Sequence, residues 1–158
     1  MNQSFVIKDA QPLDVCNMSV LAKILTKKFI LPDIEPKARP AFLEMLSPEA
    51  FMRNLTADFY YKVANKDQEL IGFIGIKNKN HLYHLFVRED MQKQGVAHAL
   101  WNAMLEIYIE QEKQKTFTVN ASLNAKGFYE KLGFIAQAET LNRNGVRFVP
   151  MLLDVSKS

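Results

Sequence analysis

The residues best suited to chemistry in this chain lie in the stretch Val87-Arg88-Glu89-Asp90-Met91-Gln92-Lys93-Gln94-Gly95-Val96-Ala97. There an apolar strand enters a basic turn with one glycine, and the turn opens directly into an amphipathic helix. Gly95 permits a positive φ, and the N–H groups around Gln94 to His98 are the unpaired donors of a helix start. Such a cradle of N–H groups suits a phosphate or pyrophosphate. The turn therefore predicts a site for an anion with several oxygens.

Two common nucleotide-binding patterns do not fit this turn. A P-loop requires Gly-x4-Gly-Lys-Ser/Thr, which the chain lacks, so ATP or GTP hydrolysis has no support. The dinucleotide fingerprint of Rossmann folds requires several glycines, and the turn has one. Taken without its context, Gly95 could also be a simple turn residue that precedes a helix.

Length and composition describe an ordinary globular chain. The 158 residues are 48% hydrophobic and 23% charged, which predicts one domain over residues 1–158 with enough length to form a core. No apolar run approaches the roughly 20 residues of a membrane span, and no signal peptide precedes the first strand. We therefore expect a cytoplasmic protein with no membrane partner.

Charge and cysteine content exclude further classes. A net charge of +3 without a cluster of Lys and Arg argues against a nucleic-acid partner and is compatible with a polyanionic cofactor. The single cysteine, Cys16, agrees with a reducing compartment. Because it lies in an apolar, helix-like segment without a nearby histidine, we expect it in the core and not as a nucleophile.

The hydrophobic pattern predicts a mixed fold. A βαβ unit in its centre requires two parallel strands in an otherwise antiparallel sheet. Pro150 predicts an edge or a bulge in the last strand. The predicted strands are Phe5–Lys8, Phe59–Ala64, Leu70–Lys77, Leu82–Val87 and Phe117–Ala121, with two more around Asn142-Arg143-Asn144-Gly145. The predicted helices are Asp14–Leu31, Ala41–Leu46, Pro48 to about Thr56, Val96 to about Gln114, and a short one that Gly133 ends.

Two spaced motifs give this fold a family resemblance. The first is Val87-x4-Gln92-x-x-Gly95-x-Ala97, and the second is Asn124-x-x-x-Phe128-Tyr129-Glu130-Lys131-Leu132-Gly133-Phe134 after the next strand. Together with the order of elements along nearly the whole chain, they resemble the GNAT superfamily of acyl-CoA-dependent N-acyltransferases. The resemblance implies an α/β (α+β) fold with a mixed, mostly antiparallel seven-stranded sheet, about four flanking helices and a parallel pair at a cofactor gap.

The resemblance also implies a cofactor and its contacts. Acetyl-CoA, or another acyl-CoA, is expected in a V-shaped gap between Leu82–Val87 and Phe117–Ala121. Its pantetheine arm would pair with the backbone of Phe86 and Val87, and Asn124 would bond the arm. Asn124 could instead be a helix N-cap or a turn residue. The pyrophosphate would rest on the turn residues Gln92, Lys93, Gln94, Gly95, Val96 and Ala97.

Tyr129 is the expected catalytic acid. In the family, the tyrosine at this position of the motif often protonates the departing CoA thiolate. A phenol with an ordinary pKa stays protonated at neutral pH and can serve as that acid. The alternative is a core aromatic, because Tyr129 shares a helical stripe with Phe128 and Leu132.

The base that deprotonates the amine is less defined. His84 is the first candidate because its strand lies beside the expected thioester, and His81, Glu89 or water chains are alternatives. His84 could also be structural. An oxyanion would be stabilised by backbone N–H groups near Phe86 and Val87. Because His81 and His84 are expected on opposite faces of one strand and Cys16 is distant, we predict no metal.

These residues predict an N-acetyltransferase that moves an acetyl group from acetyl-CoA to a primary amine by direct attack in a ternary complex. The acceptor is a small molecule or a peptide, and Asp33 and Glu35 could attract a cationic amine or be solvated surface residues. A non-catalytic acyl-CoA-binding regulatory module is the alternative. A nucleic-acid role for Arg143 and Arg147 has less support. The C-terminal hairpin is a candidate homodimer contact. The expected acceptor pocket includes Phe29, Tyr60, Tyr61 and the proline-rich loop.

Overall fold

In a computed structural model of the chain, residues 4–157 are described and form five α-helices and eight β-strands. Short 3-10 turns connect several of them. The strands are β1 (Phe5–Asp9), β2 (Phe59–Lys66), β3 (Glu69–Lys77), β4 (His81–Val87), β5 (Thr116–Ala121), β6 (Ile135–Ala136), β7 (Leu141–Arg143) and β8 (Val146–Asp154). The helices are α1 (Val15–Leu25), α2 (Arg39–Glu44), α3 (Pro48–Leu55), α4 (Val96–Glu110) and α5 (Lys126–Lys131).

The strands form one mixed sheet with the order β1-β2-β3-β4-β5-β8-β6, and β7 pairs with the other end of β8. The β4–β5 pair is parallel, and every other neighbouring pair is antiparallel. The predicted mixed sheet and its parallel pair are confirmed. The strand that sequence patterning missed is β6, whose two residues are too few to show an alternation.

The first helix is shorter than predicted. Its α-helical part ends at Leu25, and Thr26–Ile30 continue as a π-helical turn before the Pro32 segment stops the helix. The apolar stripe of α1 faces the sheet, and Cys16 lies on the opposite side, where it is exposed. Our expectation of a core cysteine was therefore wrong, because the helix places Cys16 outside the stripe that it buries.

Two apolar cores cover the two faces of the sheet. On the α1 face, α1 and α3 pack over Tyr61 and Phe73. On the α4 face, α4 packs over β2, β3 and β4, and Tyr129 of α5 joins the same core. The start of α3 is capped by Ser47, whose Oγ accepts a hydrogen bond from the Ala50 N–H at 3.1 Å. Within residues 4–157, no helix has the length and apolar character of a membrane span.

Pro150 does not lie on an edge strand. β8 pairs with β5 on one side in an uninterrupted register and with β6 and then β7 on the other. The Pro150 carbonyl accepts a hydrogen bond from the Gln137 N–H at 2.8 Å, just where the chain leaves β6. On the side of β8 away from β5, the position of Pro150 lies between the residues paired with β6 and those paired with β7. No strand hydrogen bond therefore requires an N–H at Pro150, which explains how an inner strand tolerates the proline.

Candidate active site

A gap opens between β4 and β5 towards their C-terminal ends. The parallel pairing of these strands is limited to His81 with Thr118 and Leu82 with Val119. Beyond this point, β4 continues to Val87 without β5 as a neighbour. The expected V-shaped gap is therefore present between the two strands.

A β-bulge in β4 lies at the point where the gap begins. In the β3–β4 pair, Gly75 faces His84 and Ile76 faces Leu82, so Tyr83 is an extra residue without a partner. A bulge bends its strand and increases the local twist, which accounts for the separation of β4 from β5.

The same bulge changes which side chains share a face. The Tyr83 ring contacts both His81, at 6.0 Å between ring centroids, and His84, at 4.7 Å. All three therefore lie on the α1 face, whereas Leu82 belongs to the core on the α4 face. Our expectation that His81 and His84 point to opposite faces was wrong, because strict alternation fails at a bulge. Within residues 4–157, no group of three or more His, Cys, Asp or Glu is arranged to hold a metal ion.

The backbone of β4 beyond the bulge has one side free for a ligand. The Arg88 N–H donates to the Ile71 carbonyl of the neighbouring strand β3 at 2.7 Å, and by alternation the backbone groups of Phe86 also face β3. Those of Leu85 and Val87 point into the gap. The Val87 carbonyl already accepts a hydrogen bond from Gln92 Nε2 at 2.9 Å.

The turn at the end of β4 has the geometry of an anion cradle. Gly95 precedes α4 with φ of 88°, and Lys93 also has a positive φ, of 63°. The first N–H groups of α4, from Val96 onward, have no partner within the helix. Gln94 Nε2 donates to the Asp90 carbonyl at 3.0 Å, which ties the turn to itself. The predicted helix start is confirmed.

A model of a protein family, described as an acetyltransferase (GNAT) domain, matches residues 30–155. The chain belongs to the GNAT acetyltransferase family. The matched region contains the gap, the turn before α4 and the whole of α5. A search of curated protein sequences found no match.

Solved structures confirm the GNAT fold. A GCN5-related N-acetyltransferase from Rhodopseudomonas palustris is 20% identical with a TM-score of 0.82, and the alignment covers 98% of each chain. The PaiA N-acetyltransferase of Thermoplasma acidophilum, solved in complex with coenzyme A, is 19% identical with a TM-score of 0.78 over 96% of this chain and 99% of that one. Spermidine N-acetyltransferase SpeG of Vibrio cholerae, as an N152L mutant, is 15% identical with a TM-score of 0.69 over 99% and 96%.

In this GNAT domain, Tyr129 of α5 has a buried ring and a hydroxyl without a partner. The side chain is 6% exposed, and its ring packs against Phe128 and Phe134. Within residues 4–157, the Tyr129 hydroxyl makes no hydrogen bond, and the fully buried polar atom that lacks a partner is Thr26 Oγ1. The Tyr129 hydroxyl therefore keeps access to solvent. Burial raises the pKa of Tyr129 above its usual value, which keeps the phenol protonated.

Asn124 lies in the turn that leads from β5 to α5. The N-cap of α5 is Ala125, whose N–H donates to the Ser122 carbonyl at 3.0 Å, so the side chain of Asn124 does not cap the helix. The residue is exposed, and its amide has no hydrogen-bond partner within the described part of the chain. The Asn124 amide is thus exposed in the turn that follows β5.

His84 is held in a hydrogen-bond chain that the sequence did not reveal. Its Nδ1 lies 2.9 Å from the Tyr61 hydroxyl, which accepts a hydrogen bond from Asn54 Nδ2 at 3.0 Å. The side chain of His84 is 8% exposed, and burial lowers its pKa to about 3. Asn54 was not among the expected site residues, and Tyr61 was expected only as a pocket wall. Their link to His84 depends on the sheet register.

The other two candidate bases are engaged elsewhere. His81 Nδ1 lies 2.7 Å from Thr118 Oγ1, across the last paired residues of β4 and β5. Glu89 forms an exposed ion pair with Lys28 at 2.8 Å. Both side chains therefore have partners that compete with a role in proton transfer.

The proline-rich segment after α1 is fastened to the C-terminal hairpin. The Arg147 side chain pairs with Asp33 at 3.1 Å, and the Glu35 N–H donates to the Gly145 carbonyl at 2.9 Å. Ile34 also forms an isolated bridge with Val146, so the segment lies beside the part of β8 that extends past the end of β5. Asp33 is therefore ion-paired with Arg147.

Among the aromatic residues expected in the acceptor pocket, Tyr60 lies on the other face of the sheet from Phe29 and Tyr61. Its ring packs with Tyr108 on the α4 face, and its hydroxyl donates to Asp9 Oδ1 at 2.7 Å. Phe29 and Tyr61 belong to the α1 face. The structure thus brings Phe29, Tyr61 and His84 to one face of the sheet and excludes Tyr60 from it.

Proposed function

We propose that this GNAT domain is an N-acetyltransferase that transfers an acetyl group from acetyl-CoA to a primary amine of a small molecule or a peptide, by direct attack in a ternary complex. One observation carries the proposal. The gap between β4 and β5 ends at the N–H cradle before α4, so an extended molecule with an anionic middle and a thin arm fits both.

The cofactor would be held along this path. Its pyrophosphate would rest on the turn from Gln92 to Ala97, where Lys93 adds a positive charge. Its arm would pair with the backbone groups of Val87 that face the gap and with those of Leu85, while Phe86 borders the same stretch. Asn124 would bond the arm from the β5 side. No metal is required by this arrangement.

The transfer needs one acid and a route for one proton. The amine nitrogen attacks the thioester carbonyl, a C–N bond forms, and the C–S bond breaks with its electron pair on sulfur. Tyr129 then donates its phenolic proton to the thiolate. Backbone N–H groups of β4 in the gap would stabilise the oxyanion. The proton lost by the amine would pass to water, because burial makes the His84 imidazole a weak base.

Calorimetric titration of the folded protein with acetyl-CoA tests the cofactor half of the proposal. We expect saturable binding with one site per chain, and absence of binding would overturn the proposal. Gly95→Ala should weaken binding, because a Cβ is strained at its φ of 88°. Gly127→Ala is the matched control, since a Cβ at Gly127 meets nothing within 4 Å.

Detection of free CoA thiol with a panel of primary amines tests the acceptor half. The panel includes amino acids, peptides, monoamines and polyamines, the last because a structural neighbour is a spermidine N-acetyltransferase. Thiol release with at least one amine is expected. Binding of acetyl-CoA without release by any amine would favour the non-catalytic regulatory module instead.

A further inference from the structure

Three neighbouring strands place Tyr61, Gly75 and His84 in one row across the sheet. Tyr61 of β2 is the cross-strand partner of Gly75 in β3, and Gly75 is the partner of His84 in β4. A Cβ at Gly75 would clash with the Tyr61 ring, with Tyr61 Cδ1 only 2.6 Å away. The absence of a side chain at Gly75 therefore lets the Tyr61 ring cross β3 and reach His84.

The hydrogen bonds in this row have a direction. Asn54 Nδ2 donates to the Tyr61 hydroxyl at 3.0 Å, and this hydroxyl lies 2.9 Å from His84 Nδ1, to which it can donate its own proton. Nδ1 then accepts, and a neutral imidazole carries its own proton on Nε2. With this direction of the bonds, the chain from Asn54 through Tyr61 favours the tautomer of His84 that is protonated on Nε2.

The surroundings of His84 keep it uncharged. Its ring contacts are aromatic and come from α3, β2, β3 and β4, and the titratable ones among them are the two tyrosines. These aromatic neighbours are uncharged at neutral pH, so none of them favours an imidazolium. The five ring contacts, with centroids 4.7–6.2 Å away, are Phe51, Tyr61, Phe73, Tyr83 and Phe86.

The second ring nitrogen of His84 remains available. Nε2 has no hydrogen-bond partner within residues 4–157, and it is not among the fully buried atoms that lack one. The remaining exposure of the side chain therefore includes Nε2. His84 follows the bulge at Tyr83, where β4 begins to border the gap. Its ring contacts Phe51 and Phe73 of the core on the α1 face, which is opposite to the face that α4 covers.

We propose that His84 presents its Nε2–H as a neutral hydrogen-bond donor to the acceptor, with Tyr61 and Asn54 as positioning residues. The acceptor accordingly carries an oxygen, such as a hydroxyl, carbonyl or carboxylate oxygen, close to its reactive amine. Because the cofactor turn lies on the α4 face, the acceptor enters from the α1 face, where His84 lies. This inference rests on the proposed function. It assigns His84 the role of a hydrogen-bond donor instead of the general base expected from the sequence.

Nitrogen NMR of the histidine rings tests the tautomer without any turnover. We expect His84 to show a protonated Nε2 and an unprotonated Nδ1 from pH 8 to pH 5, with the signals assigned by loss in His84→Gln. Tyr61→Phe should disturb this pattern, whereas Tyr108→Phe, which removes the hydroxyl of another buried tyrosine, in α4, should not. A proton on Nδ1, or titration at the ordinary pKa, would overturn the proposal.

Acetyl transfer to paired amines tests the donor itself. The pairs are ethylamine with 2-aminoethanol and ethylamine with glycinamide, which differ by an oxygen near the amine. Wild type should prefer the oxygenated amines, and His84→Leu should lower kcat/KM for them by about tenfold, the usual effect of losing one hydrogen bond of roughly 1.4 kcal/mol. His84→Gln offers an N–H near the position of Nε2 and should restore most of the preference.

The remaining outcomes are decisive in different ways. Equal loss for all amines in His84→Leu would overturn the acceptor contact and favour a contact with the thioester. Loss in His84→Gln as large as in His84→Leu, with disappearance of the acidic limb of the kcat/KM profile, would show that His84 is a base. If acetyl-CoA binds but no amine releases thiol, the proposed function fails, while the NMR measurement still decides the tautomer.

Discussion

Two buried tyrosines on opposite faces of the sheet differ in how their hydroxyls are used. Tyr61 on the α1 face is 2% exposed and Tyr129 on the α4 face is 6% exposed, and burial raises the pKa of both. The Tyr61 hydroxyl is bonded to Asn54 and His84, whereas the Tyr129 hydroxyl has no partner within residues 4–157. Burial alone does not distinguish them, but hydrogen bonding does.

The Tyr61 and Tyr129 hydroxyls are suited to two different roles. A hydroxyl with both of its hydrogen bonds made fixes its neighbours and has little freedom to transfer a proton. A protonated hydroxyl without a partner can give its proton to a leaving group, which is the role proposed for Tyr129. We therefore expect the two Tyr→Phe substitutions to affect different measurements.

The largest effect is expected for Tyr129→Phe on turnover. Loss of a positioned acid should lower kcat by about a hundredfold. The free energy of unfolding should change by less than about 0.5 kcal/mol, because no hydrogen bond is lost. Steady-state kinetics, calorimetric binding of acetyl-CoA and urea unfolding measure the three quantities. Parallel losses of kcat and cofactor affinity would point to a packing role for Tyr129.

On the α1 face, Gly75→Ala should have the next largest effect, and it should be on stability. The new Cβ would force the Tyr61 ring away from its position over β3 and lower the free energy of unfolding by about 2–3 kcal/mol, as in other overpacked cores. Gly127→Ala in α5, where there is open space, should be neutral or stabilising by up to about 1 kcal/mol. Similar unfolding curves for the two variants would contradict the tight fit at Gly75.

Tyr61→Phe should cost about 1–2 kcal/mol of unfolding free energy, because it leaves the Asn54 amide and His84 Nδ1 without their buried partner. Tyr129→Phe and Tyr108→Phe remove hydroxyls that bond to no other described residue, so they should cost less. Urea unfolding of the three variants measures the order directly. A cost for Tyr129→Phe equal to that for Tyr61→Phe would remove the distinction between the two faces.

Sequence patterns predicted the elements around the β4–β5 gap better than the arrangement of side chains on the α1 face. The apolar periodicity of α4 and the turn before it are local features of the sequence. The helix start at Val96 and the parallel strand pair could therefore be predicted. The bulge at Tyr83 could not be predicted, because it is defined by the pairing of β3 with β4 and has no local sequence signature. Because the bulge was not foreseen, His81 and His84 were wrongly expected on opposite faces of the strand.

The link between Tyr61 and His84 was hidden for the same reason. The two residues are 23 positions apart, and they meet only because the registers of two strand pairs align them with Gly75. In the sequence, Gly75 looks like any glycine in a strand. A pattern of tyrosine, glycine and histidine on three successive strands becomes informative only after the hairpin turns have fixed the register.

The smallest effect concerns stability against pH, and it tests the neutral state of His84. Burial lowers the pKa of His84 from its usual 6.5 to about 3, so between these values the unfolded chain binds a proton that the folded chain does not. Stability should therefore fall as the pH falls below about 6.5, by about 1 kcal/mol between pH 7 and pH 5.5 from this residue.

His84→Gln isolates this contribution from that of His81, whose pKa burial also lowers. The unfolding free energy of His84→Gln should fall less than that of wild type over the same pH range, whereas the Tyr129→Phe curve should run parallel to wild type. If wild type and His84→Gln lose stability equally, the folded protein binds a proton at His84 as readily as the unfolded chain. An imidazole that titrates freely could serve as a base. The proposal that neutral His84 donates its Nε2–H on the α1 face would then have no physical support.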